Sequence, residues 1–158
     1  MIRIGIGYDS HRFVEGRQLI LGGQHIPHPV GLHGHSDADA VAHALTDAIL
    51  GAAGAGDIGS LFPNTDPQWK NADSLYLLHL AVEHVRERGC EPIQADITII
   101  TEGPKIGPHA EAMRIALARV LGRPASALSV KAKSNEGMGF IGRGEGLAVI
   151  AVATVEER

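Results

Sequence analysis

A chain of 158 residues fits one domain spanning 1–158 and is long enough to bury roughly 70% of its unfolded surface, so one hydrophobic core suffices. A net charge of −4 excludes a general nucleic-acid surface, which needs a clustered basic footprint, and the single cysteine, Cys90, excludes an internal disulfide and a cysteine-based zinc site. No run reaches the ~20 apolar residues of a membrane span, and the N-terminus has neither a signal nor a transit pattern, so a cytoplasmic protein without a membrane partner is expected.

Ile2, Ile4 and Ile6 alternate with Arg3, Gly5 and Gly7, the period-two pattern of a strand with one buried face, ending at Tyr8-Asp9. Leu19-Ile20-Leu21, Gly22-Gly23 and His25-Ile26-Pro27 predict a short hairpin turned at the glycine pair. From Ser36, the spacing of Val41, Ala44, Leu45, Ala48, Ile49 and Ala52 predicts a helix capped by Ser36 or Asp37 and fading at Gly54 to Gly56. Residues 56–67 lack periodicity and predict a loop long enough to suggest function. A second helix runs from Asp73 or Ser74 to about Arg88, with Leu75, Leu78, Val82 and Val85 inward.

A strand over Gln94 to Thr101 follows, then a third helix from Pro108 to Leu121 with Ala112, Ile115, Ala116, Arg119 and Val120 as its stripe. Leu128 to Ala132 is a further strand. Leu147 to Val155 is nearly all apolar, as in a strand buried on both faces. The order predicts an α+β fold with helices on one side of the sheet. The other sheet face needs a cover, and in so short a chain the simplest cover is another copy.

The chemistry concentrates in a few places. In an extended segment Asp9 and His11 share one face while Ser10 points away, and on a helix opening near Ser36 His43 lies one turn from both Asp39 and Asp47. One carboxylate and two imidazoles suit a divalent ion such as zinc, with a position left open, although each histidine alone could be a solvated or capping residue. A helix start at His35-Ser36 would offer N–H groups to a phosphate, or Ser36 is a plain N-cap. Lys133-Ser134-Asn135-Glu136 combines phosphate donors with a carboxylate for Mg²⁺, or forms an ordinary turn. Glu102 to Ile106 could present amides to a flat ring, or merely connect. Asp57, Gly59 and Phe62 to Asp66 could bind a polyol, or cap one another.

Taken together, Gly7-Tyr8-Asp9-Ser10-His11-Arg12-Phe13, His35-Ser36-Asp37-Ala38-Asp39, His43 to Ala48, Gly56-Asp57-Ile58-Gly59, Phe62 to Asp66, Pro104-Lys105 and Gly139 to Gly146 closely resemble the 2-C-methyl-D-erythritol 2,4-cyclodiphosphate synthases, in order and along essentially the whole chain. The resemblance implies a homotrimeric α+β enzyme with a mixed sheet, acting in the non-mevalonate isoprenoid pathway. Its substrate would be 4-diphosphocytidyl-2-C-methyl-D-erythritol 2-phosphate, and its products the cyclic diphosphate and CMP.

By the same resemblance Asp9, His11 and His43 bind a divalent metal, usually Zn²⁺. His35 and Ser134 stabilise the transition state, and Glu136 helps hold Mg²⁺ or Mn²⁺ at the diphosphate. Asp57 and Gly59 meet the methylerythritol hydroxyls. Thr101, Pro104, Lys105, Ile106 and Gly107 belong to a cytidine loop lent by a neighbouring subunit. Ser36, Ile58, Phe62, Asn64, Thr65, Asp66, Lys133 and Asn135 complete the substrate contacts. Phe140 and Arg143 fall where the family has an axial cavity that takes an isoprenoid diphosphate.

Two departures stand out: Asn64 occupies the place of a more usual Asp, and Lys133-Ser134-Asn135 replaces a more hydroxyl-rich run. The first puts a polyol contact in question, while the second keeps both the hydroxyl and the acid. Intramolecular phosphoryl transfer asks for positioning and charge neutralisation rather than a protein nucleophile, which suits these residues. A zinc-dependent phosphoester hydrolase and a non-enzymatic isoprenoid-binding trimer are the competing readings.

Overall fold

The computed structural model describes residues 1–158. Its first strand, β1 (Ile2–Val14), runs well beyond Asp9, so Asp9 and His11 lie within a strand and not at its end. β2 (Leu19–Leu21) and β3 (Gln24–Ile26) form the expected hairpin, with Gly22 and Gly23 at φ +57° and +73° in its turn. A two-residue strand, β4 (Gly31–Leu32), pairs with the end of β1. Then follow α1 (Ala40–Ala53), α2 (Ile58–Leu61), α3 (Ser74–Glu87), β5 (Cys90–Ile100), α4 (Gly107–Leu121), β6 (Leu128–Lys133), α5 (Gly139–Gly142) and β7 (Gly146–Glu157). The main sheet has the order β4-β1-β7-β5-β6, with only β5 and β6 parallel, so the fold is α+β with a mixed sheet.

Which side of β1 is buried follows from its glycines. Gly5 and Gly7 face inward, and Ile2, Ile4, Ile6 and Tyr8 are 54%, 71%, 69% and 55% exposed. A Cβ built on Gly7 would stand 1.8 Å from the Ala44 carbonyl oxygen, and one on Gly5 would stand 2.0 Å from that of Ala48, so the backbone of α1 lies directly on the strand. On β7 the inner face carries Leu147, Val149, Ala151, Ala153 and Val155, all buried. Its other face is only partly covered, with Val152 38% exposed, so within this chain β7 is buried on one face and not two. The inner residues of β5 and β7 join those of α1, α3 and α4 in a core of 33 residues on this one side of the sheet.

Local readings shift in several places. α1 is capped by Asp39 and not by Ser36 or Asp37: its carboxylate accepts from Ala42 N at 3.0 Å and also from Gly22 N and Gly23 N, at 2.8 and 2.7 Å, locking the β2–β3 hairpin to the helix start. Burial pushes the Asp39 carboxyl up to about 6, against the pull of those three N–H donors. His35 and Ser36 therefore lie in a loop before the helix, and the helix N-terminus is not open to a phosphate there.

α4 turns Met113, Leu117, Ala118 and Leu121 inward, while Ile115 and Arg119 of the expected stripe are exposed. Both stripes satisfy helical spacing, and the buried one carries the larger side chains. In α3, Leu77 and Ala81 join Leu78, Val82 and Val85, while Leu75 is only partly buried, at the rim against Gly23. β5 begins at Cys90 because a register shift between Pro92 and Gln94 removes the need for a ladder hydrogen bond from the proline. The 56–67 loop contains the single turn α2 and leads into a 3-10 turn at Pro67–Trp69. No helix is long and apolar enough to cross a membrane.

Gly7→Ala tests the backbone contact. Forcing a methyl group against a helix carbonyl should cost about 3 kcal/mol or more, which for a chain of this size lowers the melting temperature by about 6–12 °C. A melting temperature equal to the parent's would show that α1 does not rest on the strand as described.

Candidate functional site

Because Asp9 and His11 continue the inward face of β1, and Gly7 brings α1 against the strand, His43 at the end of the first turn of α1 reaches the same point. The ligand atoms of Asp9, His11 and His43 lie within 4.8 Å of one another. Asp9 Oδ2 is 2.8 Å from His11 Nε2 and 3.1 Å from His43 Nδ1. Burial alone would raise the Asp9 carboxyl, but hydrogen bonds and charge from His11 and His43 outweigh it and hold it below its ordinary value. Burial works against a protonated His11, and the hydrogen bond and charge of Asp9 overcome it and raise that ring.

The second ring nitrogens decide what faces the centre. His11 Nδ1 donates to the His33 carbonyl at 2.7 Å, which leaves Nε2 free to act as a ligand. Ser74 donates its hydroxyl proton to the Asp37 carboxylate and so accepts from His43 Nε2, at 2.8 Å. That fixes the His43 tautomer with Nδ1 turned toward Asp9. Three acceptors so oriented attract a cation, and one carboxylate with two imidazoles is a donor set that fits zinc or another divalent ion.

Around this cluster is a pocket of about 230 Å³. Of the residues expected in the site it brings together Asp9, His11, His35, Ser36, His43, Ile58, Gly59, Phe62 and Asn64. Ile58 is tied in because its N–H donates to the Asp47 carboxylate of α1 at 2.7 Å. His35 Nε2 is buried and has no hydrogen-bond partner. Trp69 and Leu77 also line the pocket, and the indole packs edge-on against Phe62 at 5.0 Å. Nothing in their local sequence marks Trp69, Leu77 or Ser74 as site residues, since they arrive through the packing of the 62–72 segment and α3. That segment is fastened by Asn71 N donating to the His35 carbonyl at 2.9 Å and Asp37 N donating to that of Ala72 at 3.1 Å.

Other expected residues lie outside this pocket. Asp57 caps α2, accepting from Ser60 N and Oγ at 2.8 and 2.6 Å; these bonds hold its carboxyl below the usual value. Asp66 caps the 3-10 turn through Gln68, and Thr65 is exposed beside it. Thr101, Pro104, Lys105, Ile106, Gly107, Lys133 and Ser134 gather in a second pocket that shares no residue with the first. Thr101 N donates to the Lys133 carbonyl at 2.9 Å, joining the two halves of that second pocket.

Glu136, at φ +54°, and Asn135 sit in the adjoining turn, where Asn135 N and Gly137 N both donate to Glu102 at 3.0 Å. Phe140 lines a third hollow with His11 and Arg12, and Arg143 pairs with Glu145 at 2.8 Å. With β7 between β1 and β5, the Asp9 and Thr101 strands stand about 10 Å apart.

Ser74→Ala tests the outer bond on His43. Removing the acceptor of its Nε2–H should weaken zinc binding about tenfold to a hundredfold in a chelator competition. Unchanged affinity would mean that Ser74 does not set the tautomer.

Comparison with known proteins places the chain. The YgbB family model matches residues 2–156. The 2-C-methyl-D-erythritol 2,4-cyclodiphosphate synthase of Salinibacter ruber is 54% identical over 155 residues, covering 98% of this chain and 99% of that protein. A solved structure of a 2C-methyl-D-erythritol-2,4-cyclodiphosphate synthase in a CDP-bound form is 43% identical with a TM-score of 0.89, covering 98% of this chain and 100% of that one. The bifunctional IspDF from Campylobacter jejuni superposes with a TM-score of 0.96 at 46% identity, over 100% of this chain and 43% of that longer one. With a relative of this identity along nearly its whole length, and an Asp-His-His cluster at its centre, the chain belongs to the YgbB family, that of the 2-C-methyl-D-erythritol 2,4-cyclodiphosphate synthases.

Proposed function

We propose that this chain converts 4-diphosphocytidyl-2-C-methyl-D-erythritol 2-phosphate to 2-C-methyl-D-erythritol 2,4-cyclodiphosphate and CMP, as a cytoplasmic single-domain enzyme of isoprenoid biosynthesis. The observation that carries this reading is the convergence of Asp9, His11 and His43 on a pocket also lined by His35, whose buried Nε2 has no hydrogen-bond partner. The 2-phosphate oxygen bonds to the β-phosphorus, the bond from that phosphorus to the oxygen bridging it to the α-phosphorus breaks, and CMP leaves with that oxygen. No protein nucleophile is required, so the residues act by placement and by stabilising charge.

His35 donates to the phosphoryl group as its charge spreads in the transition state, which gives its free ring nitrogen a partner. Ser134 does the same from the second pocket. Ser36, Ile58, Gly59, Phe62 and Asn64 enclose the methylerythritol, with Asp57, Thr65 and Asp66 at its edge. Thr101 to Gly107, with Lys133 and Asn135, take the cytidine and its phosphates, in line with the CDP-bound relative. When bound at Asp9, His11 and His43, a divalent ion, zinc by its donor set, supplies a Lewis acid for a phosphate oxygen. Glu136 offers one carboxylate to a second cation, Mg²⁺ or Mn²⁺, which commonly keeps several waters.

The two pockets are separate in one chain, and the exposed isoleucine face of β1 is apolar, which together support a homotrimer in which one copy's cytidine pocket closes on its neighbour's metal cluster. Phe140 and Arg143 would then lie near the shared axis, where an isoprenoid diphosphate could bind.

Asp9→Asn should lower bound zinc in the purified protein and reduce CMP release from the cytidyl substrate by at least about a hundredfold. In H₂¹⁸O the parent should give a cyclic product without label. Label in a phosphate product would identify a hydrolase, and no turnover at all would favour a non-enzymatic binder. Ile6→Asp should reduce the particle mass measured by analytical ultracentrifugation and abolish CMP release; full activity as a single chain would defeat the shared-site reading.

A further inference from the structure

We propose that Arg17 is a positioning residue for the phosphoryl transfer: its guanidinium grips the carbonyls on both sides of His35 and thereby aims that ring into the pocket. Arg17 is half-buried in the turn between β1 and β2, outside the stretches that mark the site in sequence. Its Nη1 donates to the Gly34 carbonyl at 2.6 Å and its Nη2 to that of Ser36 at 2.5 Å. The rigid fork of a guanidinium matches two acceptors spaced this way, whereas a lysine ammonium offers a single point of charge.

The surrounding bonds show what the fork completes. Four successive carbonyls, from His33 to Ser36, each have a donor: His11 Nδ1 at 2.7 Å, Arg17, Asn71 N at 2.9 Å, and Arg17 again. Arg17 supplies two of the four from one side chain. Just beyond, Ala38 is held at φ +58°, a conformation that an alanine keeps only when its neighbours over-determine it. With all four carbonyls held, the buried polar atom without a partner in this loop is His35 Nε2. The loop is tied down at these four backbone acceptors, which leaves the buried His35 Nε2 as the group still without a partner.

Arg17 itself is anchored, because a side chain at Gly31 would meet the Arg17 and Gln18 carbonyl oxygens at 2.5 Å, so β4 packs against this turn. It forms no ion pair with a carboxylate, so its guanidinium is committed to the two carbonyls and stands behind the pocket-lining residues Gly34, His35 and Ser36. Releasing the fork frees the backbone on either side of His35 while Asp9 and His43 keep their own bonds from β1, α1 and α3. The predicted damage thus falls on the placement of His35 and spares the His43 side of the metal cluster.

This assignment rests on the cyclisation reading above. The test uses the full chain, with Arg17→Ala and Arg17→Lys made alone and in combination with His35→Ala. Arg17→Ala should lower kcat for the cytidyl substrate about tenfold to a hundredfold, with bound zinc equal to the parent's, and Arg17→Lys should fall between. In the His35→Ala background the further loss should be less than about twofold, since an arginine that acts through His35 has nothing left to aim. An equal factor in both backgrounds, or a parent-like kcat in Arg17→Ala, overturns the proposal. Where Arg17→Ala does not fold, the same cycle run with Arg17→Lys decides.

A readout independent of turnover is the ring ¹⁵N resonance of His35, assigned by its loss in His35→Ala. It should shift or broaden in the Arg17 variants while that of His43 stays in place, and an unmoved His35 signal also overturns the proposal. If the parent releases no CMP, the cyclisation reading is what fails, and the resonance alone judges the role of Arg17.

Discussion

Two glycines without side chains set the geometry from which the site follows. Gly5 and Gly7 let the carbonyls of Ala48 and Ala44 approach the strand to a distance that any Cβ would forbid. A helix packed at that depth carries its next residue, His43, to within 3.1 Å of Asp9, two residues further along the same strand face. The small residues of α1, Ala44, Ala48 and Ala52, are what a helix needs to lie so close. Metal cluster and hydrophobic core are thus consequences of one packing decision, which explains why the site sits at a strand–helix contact and not on a flexible loop.

Around the three side chains able to hold a metal, much of the design is spent on holding orientation. His11 is turned by the His33 carbonyl and His43 by the Asp37–Ser74 pair, so each ring presents its free nitrogen to the same point. Asp39 performs the equivalent task at larger scale, joining the start of α1 to the β2–β3 turn through one buried carboxylate. Positioning of this kind suits a reaction in which the substrate supplies its own nucleophile and the protein contributes alignment and charge. The division of the expected contacts between two pockets, together with the apolar outer face of β1, would give the proposed oligomer a chemical reason to form beyond stability.

Much of this was legible in the chain as written. Hydrophobic periodicity located three helices, the hairpin and four of the strands, because those patterns arise from local geometry, 3.6 residues per turn or two per pleat. The pairing of Asp9 with His11 is also local, since residues two apart in a strand share a side. What periodicity could not supply is which of two acceptable faces turns inward. β1 buries its glycines and leaves Ile4 and Ile6 exposed, and α4 buries Met113 and Leu117 in place of Ile115. Both outcomes depend on what packs against the element, which no window of sequence contains.

The residue types of the site, its strand alternation and its helix spacing were therefore determined by the sequence itself, through steric rules that act over a few residues. The tertiary structure alone decided that the Asp39 cap of α1 also holds the β2–β3 turn, that Trp69 lines the pocket and Ser74 bonds to His43, and that Arg17 reaches across to hold the carbonyls around His35. Each of these is a contact between segments separated by many residues, made when burial of the core brings them together, and its partners have no spacing relation along the chain.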